Sequence, residues 1–154
     1  MLISFNNCDK FIDSWLRSIH ADVAERAFDD FLFAAYDSVR NHNGMIHFWD
    51  EGGTMVASVH TEPFYDGVLL FNLKTGPEFR RQGYATKLLK AVLTEIGTKS
   101  DRKIYVHIDK KNIVSMQLHQ SMGFRVYADY GRLIDGTVSR QYFTLIYKIN
   151  RSQP

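Results

Sequence analysis

Asn112, Ser115 and His119 stand at i, i+3 and i+7, so a helix over them would carry all three on one stripe. An imidazole with an unperturbed pKa of about 6.5 can give or take a proton near neutrality. The amide and hydroxyl along the same stripe can orient a polar ligand. Earlier in the chain, Arg80-Arg81-Gln82-Gly83 runs straight into the amphipathic stretch that begins at Tyr84. A helix starting there presents backbone N–H groups with no intrahelical partner, and its dipole adds partial positive charge. Two arginines and a glycine that lets a ligand approach the backbone suit an anion. The plain alternative is a turn glycine between solvated arginines. A single glycine with no Gly-Lys pair excludes a P-loop, and G-x-G-x-x-G is also absent. What remains is a small phosphate cradle built mainly from successive N–H groups.

These residues need elements to position them. A strand is expected over 1–5, then a helix over 7–19 with Phe11, Trp15 and Ile19 on one stripe. A second helix is expected over 21–41. It is apolar on nearly every side around 31–36, so it should be buried or line something, and Gly44 should stop it. Strands over 45–49 and 54–61 flank the turn at 50–53. A further strand over 67–75 follows a turn at 62–66. The helix from Tyr84 places Leu88, Leu89, Val92, Leu93 and Ile96 on one face, with Gly97 as its stop. A strand over 103–108 and a helix over 112–122 come next. Asn112 is a good N-cap, Gly123 closes the helix, and Ile113, Val114 and Leu118 should pack inward. Strands over 124–129 and 141–148 surround a turn at 133–138. The fold class is therefore α/β, an α+β mixed sheet. Hairpins make it mostly antiparallel, the strand–helix–strand step from Gly67 makes one pair parallel, and helices cover both faces.

The 154 residues suffice for one domain, expected to span 1–154. A net charge of only +2 argues against a nucleic-acid partner, which would want a clear basic excess. Cys8 is the only cysteine, so an intramolecular disulfide is excluded and a reducing compartment is expected. The first residues lack the pattern of a signal peptide, and no apolar run reaches spanning length. The expectation is a cytoplasmic, soluble protein with no membrane partner.

Arg80-Arg81-Gln82-Gly83-Tyr84-Ala85 resembles the R/Q-x-x-G-x-G/A motif of the GNAT superfamily of acyl-CoA-dependent N-acyltransferases, and Pro77-Glu78-Phe79 resembles the usual lead-in. Asn112–Phe124 resembles the family's second motif, N-x-x-S-x-x-L-Y-x-x-x-G-F. The one departure is His119, where most members have tyrosine. Both motifs stand in the family's order and spacing. The resemblance implies a GNAT-like fold with a splayed parallel strand pair, and acetyl-CoA as cofactor. Its pyrophosphate would lie on Arg80, Arg81, Gln82, Gly83, Tyr84, Ala85 and Thr86. Its pantetheine arm would meet the backbone of Leu73, Lys74 and Thr75, and Asn112 and Ser115 would also serve the cofactor. His119 would take the tyrosine's role at the departing sulfur. No metal site is implied.

The implied reaction moves an acetyl group from acetyl-CoA to a primary amine of a small molecule or of a peptide or protein N-terminus. The competing reading is a non-catalytic acyl-CoA-binding sensor or regulatory module. Many members carry a glutamate early in the strand before the loop, but residues 68–71 have no carboxylate. The base is thus unassigned among His60, Glu62 and a water chain. Trp15, Phe28, Phe31, Phe33 and Tyr36 are the aromatic residues available to wall an acceptor site, and Tyr130 and Arg132 could reach it. Few acids stand among them, which argues against a polycationic acceptor. Acyl chain length is open, and a homodimer is compatible with the sequence.

Overall fold

A computed structural model describes residues 1–99, 103–132 and 136–149. The described residues form the strands β1 (Leu2–Phe5), β2 (Met45–Glu51), β3 (Thr54–Phe64), β4 (Gly67–Thr75), β5 (Lys103–Asp109), β6 (Arg125–Ala128), β7 (Gly131–Arg132), β8 (Val138–Ser139) and β9 (Tyr142–Lys148). The helices are α1 (Lys10–Ile19), α2 (Glu25–Asn41), α3 (Tyr84–Lys99) and α4 (Ile113–Ser121). Seven strands join in the order β1-β2-β3-β4-β5-β9-β6, and β7 pairs with β8 apart from them. The β4–β5 pair is parallel; β1–β2, β2–β3, β5–β9 and β6–β9 are antiparallel. The expected mixed sheet with one parallel pair is what forms.

Contacts group the chain into two compact units. The first comprises residues 1–63 and 72–93. Its core sets Ile12, Leu16 and Ile19 of α1 and Phe28 of α2 against Ile46, Phe48 and Met55. Each fully buried side chain of this size contributes about 1.5–3 kcal/mol relative to exposure. The apolar stripe of α1 is thus Ile12–Leu16–Ile19, at i, i+4 and i+7. Phe11 was expected on the buried stripe and is instead 69% exposed. The helix starts later than expected because Asp9 caps it, accepting from the N–H groups of Phe11 at 2.9 Å and Ile12 at 3.1 Å. The second helix also starts later, at Glu25. It buries Phe28, Ala35 and Ser38, while Phe33 is 78% exposed, so it is one-sided despite its apolar middle. At its end the left-handed residue is Asn43, with φ +56°. Gly44 serves closeness instead: a Cβ there would sit 2.0 Å from Ser38 Oγ.

The second unit comprises residues 64–71 and the described residues from 94 onward. Phe64, Leu69, Tyr105 and Ile146 form a cluster within it. The parallel ladder runs from Gly67↔Lys103 to Leu70↔Val106. Gly67 has no room for a side chain there, since a Cβ would lie 2.0 Å from the Lys103 carbonyl oxygen. Helix α3 runs through Gly97 to Lys99, so that glycine is no stop; a Cβ there would make only an ordinary 3.5 Å contact with Ile149. Helix α4 reverses the expected packing. Ile113 and Val114 are 66% and 77% exposed, and His119 is its buried residue. Of the turn expected at 133–138, residues 133–135 lie outside the described residues.

Candidate active site

The first unit holds the loop expected to take an anion. After the 3-10 turn Pro77–Phe79, Arg80 is extended, and Arg81 and Gly83 take left-handed φ values of +63° and +82° on either side of Gln82. Such alternation gathers successive backbone N–H groups into a concavity that suits an anion. Gly83 then accepts from Lys87 N–H at 3.1 Å, so the helix begins on it. Tyr84, Ala85 and Thr86 fill the first turn of α3 and offer N–H groups that the helix itself leaves unused. A Cβ built on Gly83 would meet nothing within 4 Å. The space before these groups is therefore open, which fits a pyrophosphate seated on the backbone. The Gln82 amide is turned back to the Glu78 carbonyl at 3.3 Å.

Asp22, in the α1–α2 connection, was not anticipated. Its carboxylate takes Lys74 Nζ at 3.0 Å and the Arg80 guanidinium at 2.5 Å. The hydrogen bonds from Lys74 and Arg80 hold its pKa down to about 2. Arg80 and Lys74 are thus tied to protein before any ligand arrives. Within β4, Asn72 has φ +56°, breaking the extended repeat just past the parallel ladder, and Leu73, Lys74 and Thr75 resume the strand half-buried.

The second unit holds the polar stripe of α4. Asn112 caps the helix by accepting from Ser115 N–H at 3.1 Å. His119 is 2% exposed, and its Nδ1 lies 2.8 Å from the Ser115 carbonyl oxygen. A carbonyl only accepts, so Nδ1 carries the proton and Nε2 of the neutral ring is a lone pair. Phe124 meets the ring edge-on at 5.3 Å. Burial lowers the pKa of His119 below its ordinary value, and the bond to the Ser115 carbonyl only partly opposes this. The ring is therefore neutral near neutrality. The site's low polarity disfavours the imidazolium.

His60 and Glu62, two of the candidates for the base, are 1% and 3% exposed, because β3 continues past the expected end at 61 to Phe64. Burial, then the neighbouring His47 and His20, push the His60 pKa down to about 3. The ring lies edge-on to Phe31 at 5.4 Å. Of the expected aromatic walls, Trp15 packs between Phe5 and Phe48, and Phe31 stacks on His20 at 4.3 Å. Phe28 helps to line a shallow groove of about 200 Å³ with Arg17, His20 and Glu25.

A larger cavity, about 340 Å³, lies wholly within the second unit. Tyr130 and Arg132, both expected near an acceptor, line it with Tyr105, His107 and Tyr127. At one end Asp66 accepts from Tyr105 Oη at 2.6 Å and pairs with Lys103 Nζ at 2.9 Å. The signal for Tyr105 and His107 was present in the strand alternation. Ile104, Val106 and Ile108 are core, so the residues between them share the opposite face.

The comparisons with known proteins agree with this fold. A curated relative, the [Ribosomal protein bS18]-alanine N-acetyltransferase of Haemophilus ducreyi, is 26% identical over 102 residues, which is 64% of this chain and 70% of that protein. Among solved structures, aminoglycoside 6'-acetyltransferase type Ii superposes with a TM-score of 0.75 over 100% of this chain and 99% of its own, at 13% identity. The PaiA N-acetyltransferase of Thermoplasma acidophilum in complex with coenzyme A gives a TM-score of 0.68 over 96% and 99%, also at 13% identity. The model of the acetyltransferase (GNAT) family matches residues 9–124, and the chain belongs to that family of acetyl-CoA-dependent N-acetyltransferases.

Proposed function

We propose that the protein acetylates a primary amine, either a peptide or protein N-terminus or a small-molecule amine, with the acceptor held in the tyrosine-lined cavity. The observation that carries the cofactor half is the loop at 80–86. Its left-handed Arg81 and Gly83 gather N–H groups around open space, which suits a pyrophosphate. Gly83, Tyr84, Ala85 and Thr86 would hold that group, and the backbone of Leu73–Thr75 would align the pantetheine arm. When bound, acetyl-CoA supplies an acyl group activated as a thioester. Alignment of the two substrates is the largest contribution the chain can make to the rate. Asn112 and Ser115 order the start of α4, and His119 offers a neutral nitrogen where the family most often has a phenol.

The cavity's lining supports an acceptor with an apolar body and a polar tip, since phenol rings alternate there with Asp66, Lys103 and Arg132. A relative named for acetylating an alanine of a ribosomal protein puts peptide α-amines first among acceptors to try. No described helix is long and apolar enough to cross a membrane. The lone Cys8 is in keeping with a reducing, cytoplasmic setting. The test is release of free thiol from acetyl-CoA with a panel of peptides, aminoglycosides and simple amines. Turnover with one class of amine is expected. Tight coenzyme A binding with no turnover across the panel would favour the sensor reading instead.

A further inference from the structure

We infer that the cavity of the second unit selects ligands that carry a carboxylate beside an apolar ring, with Arg132 receiving the carboxylate. The inference rests on the reading of this cavity as the acceptor's seat, and it names the class of acceptor as anionic. Every residue it uses lies within that one unit. Three charged side chains line the cavity: Asp66, Lys103 and Arg132. Both oxygens of Asp66 are taken, one by Tyr105 Oη at 2.6 Å and the other by Lys103 Nζ at 2.9 Å. The charge of Lys103 is thus offset. Arg132 is exposed, and among the described residues no ion pair includes it. The lining therefore carries one cation that is not offset.

The rest of the lining is aromatic. Tyr105 and Tyr127 stand edge-to-face at 6.2 Å, and Phe64 meets Tyr105 edge-on at 5.6 Å. Such rings pack a flat apolar body, and they would also suit an organic cation. A cation would need a carboxylate as partner, and Asp66 is already engaged. The seat of Arg132 is built. It pairs with Val138 across the β7–β8 ladder. Just before it, Thr144 Oγ1 donates to the Tyr130 carbonyl at 2.6 Å. Gly131 lies so close to its neighbours that a Cβ there would stand 3.1 Å from Tyr142 Cβ and 3.4 Å from His107 Cδ2. The backbone that carries the guanidinium is thus held against the sheet. A guanidinium is a planar fork that can meet both oxygens of a carboxylate. A volume of about 340 Å³ is at the small end for ligand pockets, so one ring with a short acidic chain suits it.

The experiment titrates the full chain, without coenzyme A, with 3-phenylpropionate, 3-phenylpropanamide and 3-phenylpropylamine. These probes share a body and differ in charge. The acid should bind about tenfold tighter than the amide, and the amide tighter than the amine. Arg132→Gln should remove the acid's advantage and Arg132→Lys should keep part of it. Affinity for the amide should hold in both variants, which shows that the cavity is intact. Acid and amide binding alike, or an advantage that survives Arg132→Gln, would overturn the inference. A competition arm sets L-phenylalanine and alanyl-aspartyl-phenylalanine amide against bound 3-phenylpropionate. Displacement by either supports the site and tells whether the carboxylate is a chain end or an acidic side chain; displacement by neither overturns it. Both competitors are then given with acetyl-CoA. Release of free thiol supports an anionic acceptor. Acid-selective binding with no thiol released would leave the carboxylate site standing and overturn its reading as the acceptor's seat.

Discussion

Asp22 and Arg80, 58 residues apart, are joined carboxylate to guanidinium at 2.5 Å, and the second oxygen of the same carboxylate holds Lys74. One acid thus fixes a residue of the anion loop and a residue of the strand before it, and offsets the charge of both. Asp22 sits well below the ordinary carboxyl range, so these pairs are complete above pH 3.8 and are lost only as pH falls through about 2. At assay pH the offset is constant. Asp22→Asn should therefore free two cations and steepen the salt dependence of coenzyme A binding. Dissociation constants measured over a range of salt concentrations test this. An unchanged slope would show that the charge of Arg80 takes no part in cofactor binding.

Gly83 is the sharper test of the cradle. Its φ of +82° strains any side chain, at about 1 kcal/mol or more, while the protein itself places nothing within 4 Å of a new Cβ. A leucine there should fold and should fill the space before the loop's N–H groups. Gly83→Leu is expected to weaken coenzyme A binding more than Arg81→Ala does, because Arg81 contributes its side chain from an exposed position. The reverse order in a binding titration would sink the backbone cradle.

Local patterns carried the anion loop and the α4 stripe, and tertiary contacts hid the rest. The strand over Gly67–Thr75 and the cap at Asn112 were legible because alternation, turn residues and capping chemistry are local. Asp22 was not, since its partners lie far along the chain and nothing near it marks an ion pair. Gly97 misled because a glycine inside a helix costs only about 1 kcal/mol, which packing can offset. His60 and Glu62 were read as strand-end residues because the turn was placed too early. Three more residues of strand put both inside. His119 was found by its motif, but its burial, and hence its charge state, came from the packing of Phe124 and the Ser115 carbonyl.

His119 gives a prediction of its own. Its Nδ1–H is committed to the Ser115 carbonyl, and burial keeps the ring neutral, so proton donation from it near neutrality is slight. His119→Ala should lower kcat by about 10²-fold or less. Coenzyme A affinity should hold. Steady-state kinetics beside a binding titration separate the two effects, and a loss larger by several orders in kcat alone would restore an essential proton donor.

The histidines also set the response of the fold to acid. Burial is the first cause of the lowered pKa values of His20, His60, His107 and His119, and in His60 the value falls to about 3. A group whose folded pKa is depressed binds more protons when unfolded. Stability therefore falls as pH drops from 6.5 toward the folded value. His60 alone should contribute a slope of about 1.4 kcal/mol per pH unit across that window, and the other three add to its upper part. The lowered carboxylates Asp22, Asp66 and Asp109 act only below pH 3.8, so they cannot produce a loss that starts near pH 6. Urea unfolding at pH 7.5, 6 and 5 should show a steady decline, and His60→Gln should flatten it. A pH-independent midpoint across that range would mean that these rings are protonated at no cost within the fold.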